Sequence, residues 1–205
     1  MKLIIYYKVV SYGTTSKEKV QTNTNDSTVK EYLDSWYKIN ILDKGYDSYI
    51  SDTLFCNDRS LSLSKPNGYT QLGYGVEKTT YRAYSSRITL ACEQQNDRFT
   101  VHDKTIGNAN LTYPIGLVTS DEINLAGAYS HTNNTNYYLY SGTTYWTMTP
   151  VFFYDYVADN FVSFSDGYLT SGAGVIYEYG IRPVINLKPN SLKSGDGSPS
   201  NPYKV

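Results

Sequence analysis

The sequence predicts a single α+β domain built from one long amphipathic helix, a second short helix and several short strands. The long helix is indicated by Val29, Leu33 and Trp36, which recur at helical spacing with polar residues between them. The strands are indicated by the second half of the chain, where short apolar and aromatic runs are divided by Asp-Gly and Gly turns. With 205 residues, the chain is long enough to bury a full core as one domain, residues 1–205.

The N-terminal region, residues 1–26, is expected to form a strand and a loop. Met1–Val10 is rich in Ile, Tyr and Val, which predicts the strand, and polar turn-forming residues follow it. The long helix is then expected over residues 27–41, with Asp26 or Ser27 as its N-cap.

The C-terminal half is expected to hold the short helix and most of the strands. Ile115–Val118 predicts a buried strand, and Thr119 or Ser120 is the expected N-cap of the helix that follows. The tail, residues 188–205, is polar and turn-forming, with a last strand expected at Tyr203–Val205. The other strands are expected at Tyr145–Pro150, Phe161–Ser165, Tyr168–Thr170, Val175–Tyr177 and Ile181–Leu187.

The charge balance argues against partners that are recognised through a broad electrostatic field. The chain has 18 Lys and Arg against 19 Asp and Glu, with no strongly basic run. We therefore expect no nucleic-acid binding. No apolar run approaches the roughly 20 residues of a membrane-spanning helix, so we expect no membrane insertion by this chain. The composition leaves the oligomeric state open.

Three segments, taken in order, resemble a known family. Gly116–Ile123 is similar to the segment that introduces the second helix in formylglycine-generating-enzyme-like proteins, although it lacks the arginine and proline of that motif. Tyr145–Pro150 is similar to the tryptophan-containing strand that follows, and Gly180–Arg182 to the late glycine-phenylalanine-arginine strand. The set resembles the bacterial branch of the C-type-lectin-like fold, which includes variable proteins of diversity-generating retroelements. It is most similar to uncharacterised domains in surface proteins of gut Firmicutes.

This resemblance covers residues 27–205 and is clearest over residues 113–187. It implies a C-type-lectin-like fold in which two helices pack on a twisted, mostly antiparallel sheet with long loops. Arg182 is then expected to pair with a carboxylate or with strand-end carbonyl groups near the start of the second helix. Anion binding by this arginine is the weaker alternative.

The enzymes of this family need residues that this sequence lacks. Formylglycine formation needs a reactive cysteine pair in the C-terminal half, but Cys56 and Cys92 both lie in the first half. The iron-dependent members need clustered histidines with a carboxylate, whereas only His102 and His131 are present. The chain also lacks the common nucleophile, phosphate-binding and dinucleotide-binding motifs. We therefore expect no enzymatic activity, no cofactor and no metal.

Calcium-dependent sugar binding is not expected either. The lectins of this fold use a tryptophan-asparagine-aspartate strand, whereas Trp146 is followed here by Thr and Met. A different calcium site is conceivable around Asp155, Asp159 and Asn160, because hard cations need several oxygen ligands. A solvated loop is the favoured interpretation of these three residues.

The strongest compositional signal is tyrosine, with 23 Tyr against 6 Phe and 2 Trp. Tyrosine gives a large contact area with few rotatable bonds, which favours it on recognition surfaces. Half-exposed strand positions also favour aromatic residues, so each cluster has both a binding and a packing interpretation. Packing is the expected role of Trp146, Phe161 and Phe164. The hypothesis is that three other clusters form one binding face, consisting of Tyr137, Tyr138, Tyr140, Phe152, Phe153, Tyr154, Asp155, Tyr156, Asp159, Asn160, Tyr177, Glu178 and Tyr179.

These features predict a non-catalytic binding domain of a bacterial surface or secreted protein, with a protein or a glycan as its ligand. One alternative is a retroelement-diversified receptor-binding protein, since mutation of asparagine-type codons yields residues like those in Phe152–Tyr156 and Ile176–Tyr179. The other alternative is a structural spacer domain. A core-facing location of the Tyr clusters would favour the spacer.

Cys56 and Cys92 are compatible with a reduced, packed pair or with one disulfide. Few Lys and many Tyr, Asn, Ser and Thr residues are typical of an extracellular protein, which favours the disulfide. Met1–Val10 superficially resembles a signal peptide, but Lys8 interrupts its apolar run and no small-residue cleavage site follows. The chain thus carries no visible export signal, which fits a piece of a longer extracellular or cell-surface protein.

Overall fold

A computed structural model describes residues 9–11, 25–60, 87–130, 132–154, 157–198 and 200–205. Within these residues the chain forms a mixed α+β fold with two α-helices, α1 (Thr28–Tyr37) and α2 (Ser120–Leu125). The α+β prediction is thereby confirmed. The strands are β1 (Val9–Ser11), β2 (Phe55–Cys56), β3 (Arg98–Phe99), β4 (Tyr145–Tyr154), β5 (Val157–Ser163), β6 (Leu169–Gly174) and β7 (Glu178–Gly180).

The long helix forms where its periodicity predicts it. Ser27 is the N-cap, and its Oγ accepts a hydrogen bond from the Lys30 backbone N–H at 3.1 Å. After α1 the chain continues as a π-helical turn, Lys38–Leu42. Gly45, with φ +73°, follows in the left-handed region that reverses the chain at low steric cost. The predicted helix over residues 27–41 is therefore confirmed.

The short helix α2 is held by a reciprocal capping box. Of the two predicted N-caps, Thr119 is the one used: its Oγ1 accepts from the Glu122 N–H at 3.2 Å. In return, the Glu122 carboxylate accepts from the Thr119 N–H at 2.7 Å. The helix ends just before Gly127, which has φ +109°.

The main sheet has the strand order β1-β7-β4-β5-β6. The pairs β1/β7, β4/β5 and β5/β6 are antiparallel, and β4 meets β7 in a parallel bridge between Tyr145 and Gly180. The prediction of a mostly antiparallel sheet is confirmed. Strands β2 and β3 form a separate antiparallel pair, in which Phe55 lies opposite Phe99.

Both faces of the main sheet are buried, and each helix covers one of them. Neighbouring residues on β4 enter different cores, since Trp146 packs with the α1 side chains and Tyr145 packs with Ile123 of α2. The same division holds on β5, where Val162 joins the first core and Phe161 the second. Successive strand side chains point to opposite faces, so β4 and β5 need apolar residues at consecutive positions. The predicted packing role of Trp146 and Phe161 is confirmed, because both are fully buried.

Three predicted strands are wrong. Ile115–Val118 and Ile181–Leu187 meet only through an isolated bridge between Gly116 and Val184. The first segment is buried, and the second is buried or half-buried. The apolar side chains of these two segments pack in the core or against it, but the segments do not join the sheet. Val175–Tyr177 forms the turn between β6 and β7.

The ends of the chain match their predictions in part. Residues 1–8 lie outside the described residues, and the described end of the predicted first strand belongs to β1. In the tail, Lys204 pairs with Ser194 through an isolated bridge. The predicted anchoring at Tyr203–Val205 is thus a bridge rather than a strand.

A disulfide between Cys56 and Cys92 ties β2 to the segment that leads into β3, with 5.8 Å between the two Cα atoms. The favoured alternative for the cysteine pair is therefore the one that the structure contains. An ion pair reinforces the same junction: the Arg59 Nε–H donates to the Asp97 carboxylate at 2.8 Å. Asp97 is almost fully buried, so this pairing offsets the cost of burying its charge.

Candidate binding surface

The three aromatic clusters that the sequence predicted as one face do not all lie at the surface. Tyr137 is 9% exposed, and its hydroxyl shares a 2.9 Å hydrogen bond with Ser163 Oγ. Burial raises the pKa of Tyr137 to about 12. The half-buried Tyr140 packs edge-on against Tyr137 and donates its hydroxyl proton to the Ser165 carbonyl at 2.9 Å. These two residues support the loop around the start of β4 and the end of β5. Tyr137 is thus a buried structural residue rather than the predicted ligand contact, whereas ligand binding by the half-buried Tyr140 stays a prediction.

Asn160 is also a structural residue. It is 2% exposed, and its side-chain amide donates to the Thr147 carbonyl at 2.6 Å. The pairing of β4 with β5 changes register between Trp146 and Pro150, and Thr147 lies within that irregular stretch. Asn160 therefore satisfies a backbone carbonyl where the strand is irregular, which corrects its predicted role as a ligand residue.

The cluster at the β4–β5 hairpin is only partly described. The backbone of Phe152, Phe153 and Tyr154 forms the last part of β4. Asp155 and Tyr156 lie outside the described residues. Within the part of the chain that is described, no group of three or more His, Cys, Asp or Glu side chains is placed to hold a metal ion.

The third cluster forms one end of a connected set of rings. Tyr179 is at its centre, with ring centroids 4.9 Å from Trp146, 6.1 Å from Phe164 and 6.5 Å from Tyr177. Phe164 in turn stacks on Tyr168 at 6.4 Å. We call these five residues the aromatic row. It runs from the fully buried Trp146 to Tyr177, which is 57% exposed, so the surface ring stands on the core of the domain.

The carboxylate of Asp159 lies beside the exposed end of the aromatic row. Asp159 pairs with Gly174 across β5 and β6. A Cβ atom built on Gly174 would lie 3.3 Å from Cε2 of Tyr177 and 3.7 Å from Oδ1 of Asp159. The ring and the carboxylate therefore both lie against Gly174, which has no side chain to keep them apart.

The environment of Asp159 is unusual for a carboxylate. The side chain is about half-buried, and desolvation raises its pKa. Among the described residues, no hydrogen-bond donor or cation is paired with it. Neither carboxylate oxygen is fully buried. An accessible carboxylate with a raised pKa beside a surface aromatic residue is a candidate contact for a ligand.

Two exposed neighbours complete this candidate site. Ile176 is 62% exposed and precedes Tyr177 in the same turn. Glu178 is exposed and begins β7, where it pairs with Ser11 of β1. Sequence reasoning included Glu178 but missed Gly174, whose signal was its place in a Gly-Ala-Gly tripeptide just before the aromatic turn.

Tyr138 is the predicted residue that stands out most clearly into solvent among the tyrosines whose exposure is described, at 91%. Its backbone N–H bonds to the Ala126 carbonyl at the end of α2. No ring contact joins Tyr138 to the aromatic row among the described residues. Arg182 lies in the same region, where it donates to the Leu139 carbonyl and stacks 4.7 Å above the Tyr145 ring. This arginine is thus structural, and its carbonyl partner belongs to the loop before β4 rather than to the start of α2.

A cavity of about 210 Å³ lies between the disulfide and the start of α2. Its carboxylates have structural partners: Asp121 accepts from the Thr89 N–H at 3.2 Å, and Glu122 closes the capping box. The Thr53 hydroxyl is buried and has no hydrogen-bond partner among the described residues. The cavity is lined by Thr53, Leu54, Phe55, Cys56, Asp58, Thr89, Leu90, Ala91, Leu117, Thr119, Asp121, Glu122, Thr149, Val184 and Asn186.

No protein family, no curated protein and no solved structure matches the chain. None of the described helices is long and apolar enough to cross a lipid bilayer.

Proposed function

We propose that this domain is a non-catalytic binding module that engages a protein or a glycan through the exposed end of the aromatic row. The observation that carries this proposal is the exposed ring of Tyr177 beside the unpaired, half-buried carboxylate of Asp159. An aromatic face and a single acceptor together offer a ligand both contact area and orientation.

The aromatic row is suited to binding because its surface ring is already supported. Tyr179 is fixed between Trp146, Phe164 and Tyr177. Ordering side chains at an interface costs about 0.5–1.5 kcal/mol for each mobile residue. Tyr177 contacts Tyr179, which packs on the buried Trp146. The Tyr177 ring therefore incurs less of this cost when the ligand binds.

We propose further that the fold is C-type-lectin-like and that the domain acts outside the cell or at its surface. The two helices that pack on a mostly antiparallel sheet support the fold. The Cys56–Cys92 disulfide supports the location, because disulfides persist mainly in oxidising compartments.

A structural spacer is the competing proposal, and one observation favours it. Tyr137 and Tyr140 pack into the domain, as expected of a chain that uses tyrosine to fill half-exposed positions. The exposure of Tyr177 and Ile176 favours the binding module instead. The binding module predicts that Tyr177→Ala loses ligand binding, whereas the spacer predicts no such loss.

The test is a binding screen of the purified domain against glycan and surface-protein arrays, with and without calcium. Tyr177→Ala is the test variant, and Tyr138→Ala is its matched control, because Tyr138 is also exposed and lies outside the aromatic row. Calcium-independent binding that is lost in Tyr177→Ala and kept in Tyr138→Ala supports the proposal. Binding that survives Tyr177→Ala, or no binding by the wild type, favours the spacer.

A further inference from the structure

We infer that Asp159, Tyr177 and Gly174 form a subsite for a guanidinium group, supplied by an arginine side chain of a protein partner. The inference rests on the proposed function. It narrows the class of ligand from a protein or a glycan to a protein with an exposed arginine. Each of the three residues contributes a different part of the recognition.

Asp159 supplies the charge. Its carboxylate is half-buried, and within the described part of the chain it has neither a hydrogen bond nor an ion pair. A neutral hydroxyl group would satisfy one acceptor position. A cation does more, because a charge-assisted hydrogen bond is roughly twice as strong as a neutral one and also compensates the carboxylate's charge.

Tyr177 supplies the face on which a flat cation can stack. Its side chain is 57% exposed, and its Cε2 lies 3.3 Å from the point where a Gly174 Cβ would be. Cations bind over aromatic faces, and the planar guanidinium can stack on a ring while it forms hydrogen bonds in its own plane. A lysine ammonium can use the ring or the carboxylate as a point charge but lacks this flat fork.

Gly174 lets the ring and the carboxylate lie close together. A Cβ atom at this position would be 3.3 Å from the Tyr177 ring, which is a tight contact, and 3.7 Å from the Asp159 carboxylate. The ring and the carboxylate thus flank the same residue, so a planar cation that stacks on the ring is within reach of the carboxylate.

The surroundings of the subsite fit the rest of an arginine side chain. Ile176, 62% exposed, offers an apolar surface to the methylene groups of the side chain. Glu178, exposed at the start of β7, adds a second negative charge one residue after Tyr177. This pairing of apolar and acidic groups is complementary to arginine and less so to an uncharged sugar.

The test uses the folded domain and an isolated probe. The ¹⁵N-labelled protein is titrated with Nα-acetyl-arginine amide, and chemical shifts are followed at the amides of Asp159, Gly174 and Tyr177. Nα-acetyl-citrulline amide is the matched neutral probe, because it keeps the shape of arginine and removes the charge. Glucosamine provides a cationic probe that a glycan could supply.

Two variants test the two halves of the subsite, and a third is the control. Asp159→Asn removes the charge and keeps the shape of the side chain. Gly174→Ala adds a methyl group that crowds the Tyr177 ring and changes no charge. Asp26→Asn is the control for the loss of one negative charge, because Asp26 is exposed and lies outside this site. Dispersed amide spectra of each variant establish that it is folded.

The expected result is a saturable shift of these amides with the arginine probe. Binding should weaken by about tenfold or more in Asp159→Asn, since a hydrogen bond to a charged group contributes about 1.5–3 kcal/mol. It should also weaken in Gly174→Ala and with the citrulline probe, and stay unchanged in Asp26→Asn. Equal shifts with citrulline, tighter binding of glucosamine than of the arginine probe, or unchanged binding by Asp159→Asn would overturn the inference.

The proposed function and this inference fail in different experiments. If Tyr177→Ala loses partner binding and Asp159→Asn keeps it in full, the proposed function stands and the arginine subsite is refuted. Partner binding that survives Tyr177→Ala removes the proposed function itself.

Discussion

Tyr179 packs edge-on against Trp146, with ring centroids 4.9 Å apart and ring planes inclined by 64°. Trp146 belongs to the core that α1 covers, so this contact joins the surface of the aromatic row to the main core of the domain. A change in the row therefore affects stability and binding to different degrees, depending on which ring is removed.

Tyr179→Ala is expected to lower the free energy of unfolding by about 2 kcal/mol. The residue is half-buried, and an aromatic pair contributes about 0.5–1.5 kcal/mol beyond the area that it buries. Tyr179→Phe keeps the ring and should stay within about 0.5 kcal/mol of the wild type. Urea denaturation measures both values. Equal stability of the Ala variant and the wild type would show that the ring does not anchor the row.

Tyr137→Phe is expected to cost about 1 kcal/mol of stability without changing ligand binding. The substitution removes the buried hydrogen bond to Ser163 and leaves that hydroxyl without its partner. Tyr138→Ala, at an exposed position of the same loop, should change stability by less than about 0.5 kcal/mol. Chemical denaturation and the array screen together decide this point. A loss of binding in Tyr137→Phe would return this tyrosine to the ligand site.

Reduction of the Cys56–Cys92 disulfide is expected to lower stability by roughly 4 kcal/mol in the chain-entropy model. The bond closes a loop with a sequence separation of 36, and an open loop has more conformations in the unfolded chain. The double variant Cys56→Ser, Cys92→Ser should match the reduced wild type, which separates loss of the crosslink from other effects of the reductant. An unchanged urea midpoint on reduction would contradict this prediction.

The helices were predictable from the sequence because their determinants are local. Ser27 and Thr119 cap α1 and α2 through residues three positions away, so the signal lies within one turn of chain. The strand errors have a different cause. The apolar runs at Ile115–Val118 and Ile181–Leu187 reflect burial, and burial does not say whether a segment joins a sheet.

The candidate site was only partly predictable for a similar reason. Tyr137 follows the polar run Thr132–Asn136 and Tyr177 follows the apolar Val175 and Ile176, yet Tyr137 is 9% and Tyr177 57% exposed. The difference arises from partners distant in the chain, such as Ser163 for Tyr137. The pairing of Asp159 with Gly174 is likewise set by the register of β5 on β6, which the sequence does not reveal.

Asp159→Asn is expected to stabilise the domain at neutral pH. Burial raises the pKa of Asp159 above its model-peptide value of 3.8, so the folded protein binds this proton more tightly than the unfolded chain does. The contribution of Asp159 to stability is therefore fully present below pH 3.8 and is lost as the pH rises through the raised pKa. The asparagine variant has no such loss. Urea denaturation of both proteins at several pH values measures the difference, which should be largest at pH 7 and shrink as the pH falls toward 3.8. A wild type that is as stable as the variant at pH 7 would mean that the carboxylate carries no desolvation cost, and the case for Asp159 as an unpaired ligand contact would fall with it.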